Sequence, residues 1–129
     1  MFGLFGLFGK ARGQERLDDC LRQAGLHPAT LDEAIKLTLL RLLRGRGEGA
    51  AFMAELQSSA DLLVYCILGP TDFRAKNGPA AAEAQERRLT RAGELGQGLD
   101  AEIVLLCLHS GLASETLAER FEWTTTPDL

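Results

Sequence analysis

β-Branched aliphatic residues are scarce in this sequence. It contains three Ile and two Val, whereas Leu and Ala dominate its 129 residues. Because strands are enriched in β-branched residues, this shortage disfavours a sheet. Hydrophobic residues make up 46% of the chain and charged residues 25%, which is typical of a globular domain and not of a disordered one. We therefore predict an all-α, single-domain protein.

Closely spaced cysteine pairs are also lacking. The three cysteines, Cys20, Cys66 and Cys107, lie far apart and form no CxxC motif. That spacing excludes a zinc knuckle and a thioredoxin-type site. Each thiol lies in an apolar stretch, which favours reduced, buried thiols in a cytosolic protein. We expect no metal and no cofactor.

The Glu-x-x-His pairs of di-iron and di-manganese bundles are missing as well. The residues three positions before His27 and His109 are Ala24 and Leu106. Neither imidazole therefore shares a helix face with a carboxylate in the arrangement that those metal sites require.

No segment is strongly basic. Residues 1–60 carry 8 basic and 7 acidic groups, and residues 61–129 carry 6 and 11, so the C-terminal half has a charge of −5. Such a charge repels phosphate, and we expect no nucleic-acid partner. The outline of a helix-turn-helix at residues 103–122 keeps a DNA-associated regulator as the alternative function. Its second helix is acidic, however, with Arg120 as the lone basic residue.

Periodic apolar residues and Gly or Pro breaks predict a bundle of five or six helices joined by short loops. The helix at 49–68 is apolar on most faces, so we expect it to be central, whereas the helix at 79–94 should lie outside. Residues 71–76 predict only a short turn. The predicted helices cover residues 13–24, 30–44, 49–68, 79–94, 100–110 and 114–122.

Three side chains are predicted to cap these helices. Thr30 with Glu33 fits a capping box, in which each side chain satisfies a free backbone N–H group. Asp100 and Ser114 stand where they could cap the next-to-last and last helices.

The first ten residues, MFGLFGLFGK, hold half of the six Phe residues, alternating with Leu and Gly. We call residues 1–10 the leader, residues 11–123 the helical domain and residues 124–129 the C-terminal tail. The leader is too short to span a bilayer, and its glycines prevent it from forming a helix alone in water. Its pattern is similar in character to viral fusion peptides and some amphipathic antimicrobial peptides, over these residues only.

A leader of this kind requires an apolar surface to cover it. Three alternatives remain for that surface: the protein's own domain or a second copy, an anionic membrane surface, or a groove on another protein. We expect a cytoplasmic protein, or one peripheral to the inner face of the membrane. The interaction residues are Phe2, Leu4, Phe5, Leu7, Phe8, Lys10 and Arg12.

The functional expectation is a non-catalytic helical interaction protein: an adaptor, regulator or accessory subunit. The third alternative, after DNA binding, is a ligand-binding or cysteine-dependent enzyme bundle. Cys66, Cys107 and His109 are its candidate ligand or redox residues, because a fold could bring them together. The apolar surroundings of the thiols argue against it, since they suppress the thiolate.

Overall fold

The computed structural model describes the backbone of residues 2–122 and the side chains of residues 12–122. Over that range the protein is all-α, as predicted, and its helices pack into a bundle. The tail at 124–129 and the side chains of the leader lie outside the described residues. The α-helices are α1 (Phe2–Ala24), α2 (Glu33–Leu42), α3 (Gly49–Leu68), α4 (Pro70–Asn77), α5 (Pro79–Leu95), α6 (Leu99–His109) and α7 (Glu115–Arg120).

The first helix is longer than the predicted helix at 13–24. It begins at Phe2 and continues without a break to Ala24, across the boundary between the leader and the helical domain. Leu17, Cys20 and Leu21 are buried on its inner face. Gly25 follows with a positive φ of 98° and donates a backbone hydrogen bond to Arg22, ending the helix as expected.

Helix α3 is the central helix, which confirms the prediction. It packs against α1, α4, α5 and α6, and its residues 62–66 are all buried. By length and composition α3 could cross a membrane, and no other helix in the described range could. It lies instead in the middle of the bundle.

Helix α4 replaces the short turn that the sequence predicts. Pro70 occupies the first helical position, where its missing N–H leaves no hydrogen bond unmade. Phe73 is buried and its ring meets that of Tyr65 edge-on at a centroid distance of 5.3 Å. At the far end, Asn77 Nδ2 donates to the carbonyl of Ala24. Tertiary packing and this hydrogen bond, absent from any local pattern, stabilise the helix.

The prediction of a capping box at Thr30 is wrong. Residues 28–30 form a 3-10 turn, and α2 begins at Glu33 after Asp32. The Nδ1 atom of His27 accepts a hydrogen bond from the Ala29 N–H, which holds the turn. Burial of Leu31 in an extended conformation then separates the turn from the helix.

The two later caps have different outcomes. The prediction for Ser114 is confirmed, since its hydroxyl accepts a hydrogen bond from Leu117 N–H at the start of α7. The prediction for Asp100 is wrong, because α6 begins at Leu99 with Gly98 before it. Asp100 binds Arg88 instead, so a tertiary ion pair replaces the local cap.

Candidate functional site

The structure brings two of the three candidate ligand or redox residues together. Cys66 of α3 and Cys107 of α6 are both buried, with exposed fractions of 1% and 0%, and their thiols interact. The hydrogen bond to Cys107 and burial raise the pKa of the Cys66 thiol well above its usual value. The raised pKa disfavours the thiolate of Cys66, which is the form that a nucleophile needs.

His109 is placed apart from this thiol pair. It is exposed at the last position of α6, whereas Cys107, two residues earlier, faces the core. Residues two apart on a helix do not share a face, as the sequence indicates. Cys20 is buried in α1, where burial, with Asp61 and Asp19 nearby, raises its thiol pKa. Among the described residues, no group of three or more His, Cys, Asp or Glu could hold a metal ion.

A polar cluster links α3, α5 and α6. The Arg88 guanidinium forms a two-pronged contact with Asp100, at 3.2 Å from Nε to Oδ2 and 2.9 Å from Nη2 to Oδ1. Its Nη1 atom also donates to the Ser58 carbonyl and to Gln85 Oε1. All of these contacts satisfy groups within the chain, so the cluster holds three helices together.

A second polar group lies where α7 crosses α5. The Tyr65 hydroxyl and the Arg120 guanidinium both donate to the Glu86 carboxylate, and Arg120 also donates to Thr90. Burial alone raises the pKa of Glu86, but the hydrogen bonds from Tyr65 and Arg120 outweigh it and lower the pKa. Burial, followed by the hydrogen bond and charge of Glu86, raises the pKa of Tyr65.

This arrangement bears on the helix-turn-helix alternative. Helices α6 and α7 with the intervening turn do occupy residues 99–120. Arg120, the lone basic residue of the proposed recognition helix, is engaged by Glu86 and Thr90. It is therefore held against α5 in the free protein, and the exposed residues Glu115 and Glu119 of α7 are acidic. This charge distribution argues against contact with phosphates.

An apolar groove lies between α5 and α6. Its cavity volume is about 290 Å³. Leu105, which lines the groove, is 45% exposed, and nearby Leu95 is 60% exposed; they are the exposed large hydrophobics among the described side chains. The groove is lined by residues that include Gly93, Gly96, Val104, Leu105, Leu108 and Phe121.

Sequence reasoning missed this groove. It predicts a helix over residues 100–110 and assigns no role in binding to Gly93 or Gly96. The available signal was the small residues of α5, because Gly93 lets the Phe121 ring approach the helix backbone. A Cβ added at Gly93 would lie 3.1 Å from Cε1 of Phe121.

The predicted interaction residues lie in α1. Arg12 is exposed. The side chains of Phe2, Leu4, Phe5, Leu7, Phe8 and Lys10 lie outside the described residues, while their backbone belongs to the single helix α1.

Comparisons with protein-family models, with curated proteins and with solved structures find no match to this chain.

Proposed function

We propose that this chain is a non-catalytic helical interaction protein, an adaptor, regulator or accessory subunit, and that it associates with a second copy of itself through the leader. The observation that carries the proposal is the continuity of α1 from the leader into the core. A helix already formed in the core extends at low entropic cost, because only its first turn is costly to nucleate. The leader can therefore be helical as an extension of α1 despite its glycines.

The register of α1 separates two sets of leader positions. Buried positions 17, 20 and 24 repeat with heptad spacing, and the same spacing continues through positions 13, 10, 6 and 3. Three of those four positions are glycine. At Gly13 this face already meets α2, since a Cβ there would lie 3.5 Å from Cδ1 of Leu40.

Most of the larger leader residues occupy other positions. Leu4, Phe5 and Phe8 fall outside the heptad positions that continue the buried face, whereas Leu7 lies two heptads before the buried Leu21. On an unbroken helix, positions off that face lie on another side of the helix from the one that packs against the bundle. Each large apolar side chain that is then buried stabilises the contact by about 1.5–3 kcal/mol. This register favours a second copy over the protein's own domain.

A membrane surface is the competing partner. Arg12 and Arg16 are exposed directly after the leader, where anionic head groups would attract them. The exposed Glu15 and Asp19 lie on the same stretch of α1 and offset that attraction. This mixed charge favours a protein surface.

The test is the mass of the intact chain in solution, measured by light scattering over a range of concentrations. We expect a mass that rises toward that of a dimer or larger assembly. Phe5→Glu combined with Phe8→Glu should yield a monomer, because four negative charges would then meet in a contact between two leaders. The matched control is Ala54→Glu combined with Ala75→Glu, which adds the same charge at exposed positions of the body and should still associate.

Sedimentation with vesicles tests whether the leader binds a membrane instead of a second copy. Anionic and neutral vesicles are compared, because the membrane alternative requires anionic head groups. A chain that stays monomeric at all concentrations contradicts the proposal. Sedimentation with anionic vesicles by that monomeric chain, lost on removal of residues 1–9, would assign the leader to a membrane instead.

A further inference from the structure

The apolar groove meets the end of the described chain at Phe121. This residue follows α7 directly, and its half-buried ring is part of the groove lining. Only eight residues of the sequence follow Phe121. The chain that continues from Phe121 therefore starts beside the groove.

The backbone leaves α7 through a left-handed residue. Glu122 has a positive φ of 52°, and its N–H donates to the Glu119 carbonyl at 3.1 Å. A left-handed residue with this hydrogen bond is the first half of a Schellman motif, in which the next residue packs against the last helical turn. That next residue is Trp123. Its partner position in the motif is Ala118, which lies three residues before Phe121 and so on the same face of α7.

The remaining chain is long enough to follow the groove. The seven residues at 123–129 span up to about 23 Å when extended, and α6, at 1.5 Å per residue, is about 16 Å long. Three consecutive Thr residues and Pro127 favour an extended conformation. Trp123 and Leu129 supply apolar side chains at the two ends of the segment.

We propose that residues 123–129 bind along the groove between α5 and α6 of their own chain, with Trp123 beside Phe121 and Leu105. The segment covers the exposed apolar side chain of Leu105. In this proposal the groove binds an extended peptide with an aromatic residue, and that peptide belongs to the same chain. This inference concerns a different face from the leader and is independent of the proposed association.

Trp123 is the sole Trp of the chain, so intrinsic fluorescence of the intact protein reports its surroundings. We expect the native emission to be blue-shifted relative to the guanidinium-unfolded chain, with severalfold weaker acrylamide quenching. Leu105→Glu places a charge in the groove and should move both readings toward their unfolded values. Leu95→Glu is the matched control, because Leu95 is more exposed and does not line the groove; it should leave both readings unchanged.

Helical circular dichroism verifies that each variant is folded. Native quenching as strong as in the unfolded chain would overturn the proposal, as would equal effects of the two Leu variants. Shielding that disappears on dilution would overturn it in favour of a second copy. Shielding that disappears when residues 1–9 are removed would overturn it in favour of the leader as the covering segment.

Discussion

At the scale of single residues, Ser59 and Ser58 occupy adjacent positions of α3 but different environments. Ser59 is 0% exposed, and its hydroxyl has no hydrogen-bond partner among the described residues. Ser58 is half-buried, and its backbone carbonyl accepts from Arg88. A buried hydroxyl without a partner retains its desolvation cost, so Ser59 lowers the stability of the core helix.

Ser59→Ala should therefore stabilise the protein. Removing the hydroxyl relieves a desolvation cost of about 1 kcal/mol, and alanine adds about 0.5 kcal/mol of helix propensity. Ser58→Ala is the control, because it changes propensity alone and keeps the carbonyl. Denaturant unfolding should show the larger gain for Ser59→Ala. Equal gains for the two variants would contradict the assignment of an unsatisfied hydroxyl.

Asp61 is a second residue whose environment is unfavourable, here to its charged carboxylate. Burial raises its pKa, and the hydrogen bond from Gln57 and the charge of Arg88 only partly oppose that effect. The folded protein therefore binds a proton more tightly at Asp61 than the unfolded chain does. Folding consequently disfavours the charged carboxylate at neutral pH, and this penalty is relieved as the pH falls through the folded pKa.

Asp61→Asn should be more stable than the parent protein at neutral pH. The difference should shrink as the pH falls toward about 4, the pKa of an unfolded Asp, because the parent carboxyl is then also neutral. Urea unfolding across this pH range measures the effect. Asp19→Asn, at an exposed position of α1, controls for the change in net charge. A stability difference that grows toward acid pH would refute this reading of Asp61.

At the scale of elements, α7 is too short to be stable alone. It has six helical residues, well below the length at which isolated helices form in water. The contacts that hold it include the buried Leu117, the ion pair between Arg120 and Glu86, and the backbone hydrogen bond from Ser114 N–H to the Cys66 carbonyl. Ser114 thus joins the start of α7 to the end of α3 as well as capping it.

Ser114→Ala should cost about 1 kcal/mol, the usual value of an N-cap hydroxyl. Ser114→Asp should retain most of that stability, because a carboxylate also accepts from the free N–H groups and complements the helix dipole. The alanine variant keeps the backbone hydrogen bond to Cys66, so its loss of stability measures the capping hydroxyl alone. Thermal unfolding of the three proteins provides the comparison. An alanine variant as stable as the parent would disprove the capping role.

At the scale of the whole molecule, the three cysteines report on three helices. Cys20 lies in α1, Cys66 in α3 and Cys107 in α6, and all are at most 3% exposed. Burial prevents a thiol reagent from reaching them in the native state, so labelling requires the bundle to open. A cooperative single domain should expose all three together.

Thiol labelling in increasing guanidinium should therefore follow the loss of helical circular dichroism, with one midpoint for all three cysteines. Variants that retain one cysteine each assign the sites. Labelling of Cys20 at a lower denaturant concentration than Cys66 and Cys107 would mean that α1 separates from the bundle before the rest unfolds.

The fold class follows from local features of the sequence, but several details do not. Scarce β-branched residues and helical periodicity predict the all-α bundle and the central α3, and Ser114 is recognisable as a cap because its hydrogen bond is local. Thr30 and Asp100 fit the same local rule and still do not cap. The reasons lie elsewhere in the chain, in the packing of Leu31 and in the position of Arg88 opposite Asp100.

Some features of the candidate sites can likewise be predicted from the sequence, and others cannot. The leader and the burial of the thiols are visible in the sequence, because both depend on which residues stand next to each other. Whether Cys66 meets Cys107, and whether small residues of α5 line a groove with Phe121, depends on how helices cross. No spacing rule within one helix determines a crossing between two.

The sequence by itself therefore determined the helical class, the central helix, the buried thiols and an apolar leader, since each rests on local composition and periodicity. Tertiary structure alone decided the Arg88–Asp100 ion pair, the engagement of Arg120, and the groove between α5 and α6. The physical reason is that these features arise where residues distant in the chain compete for the same partner or leave apolar surface between them.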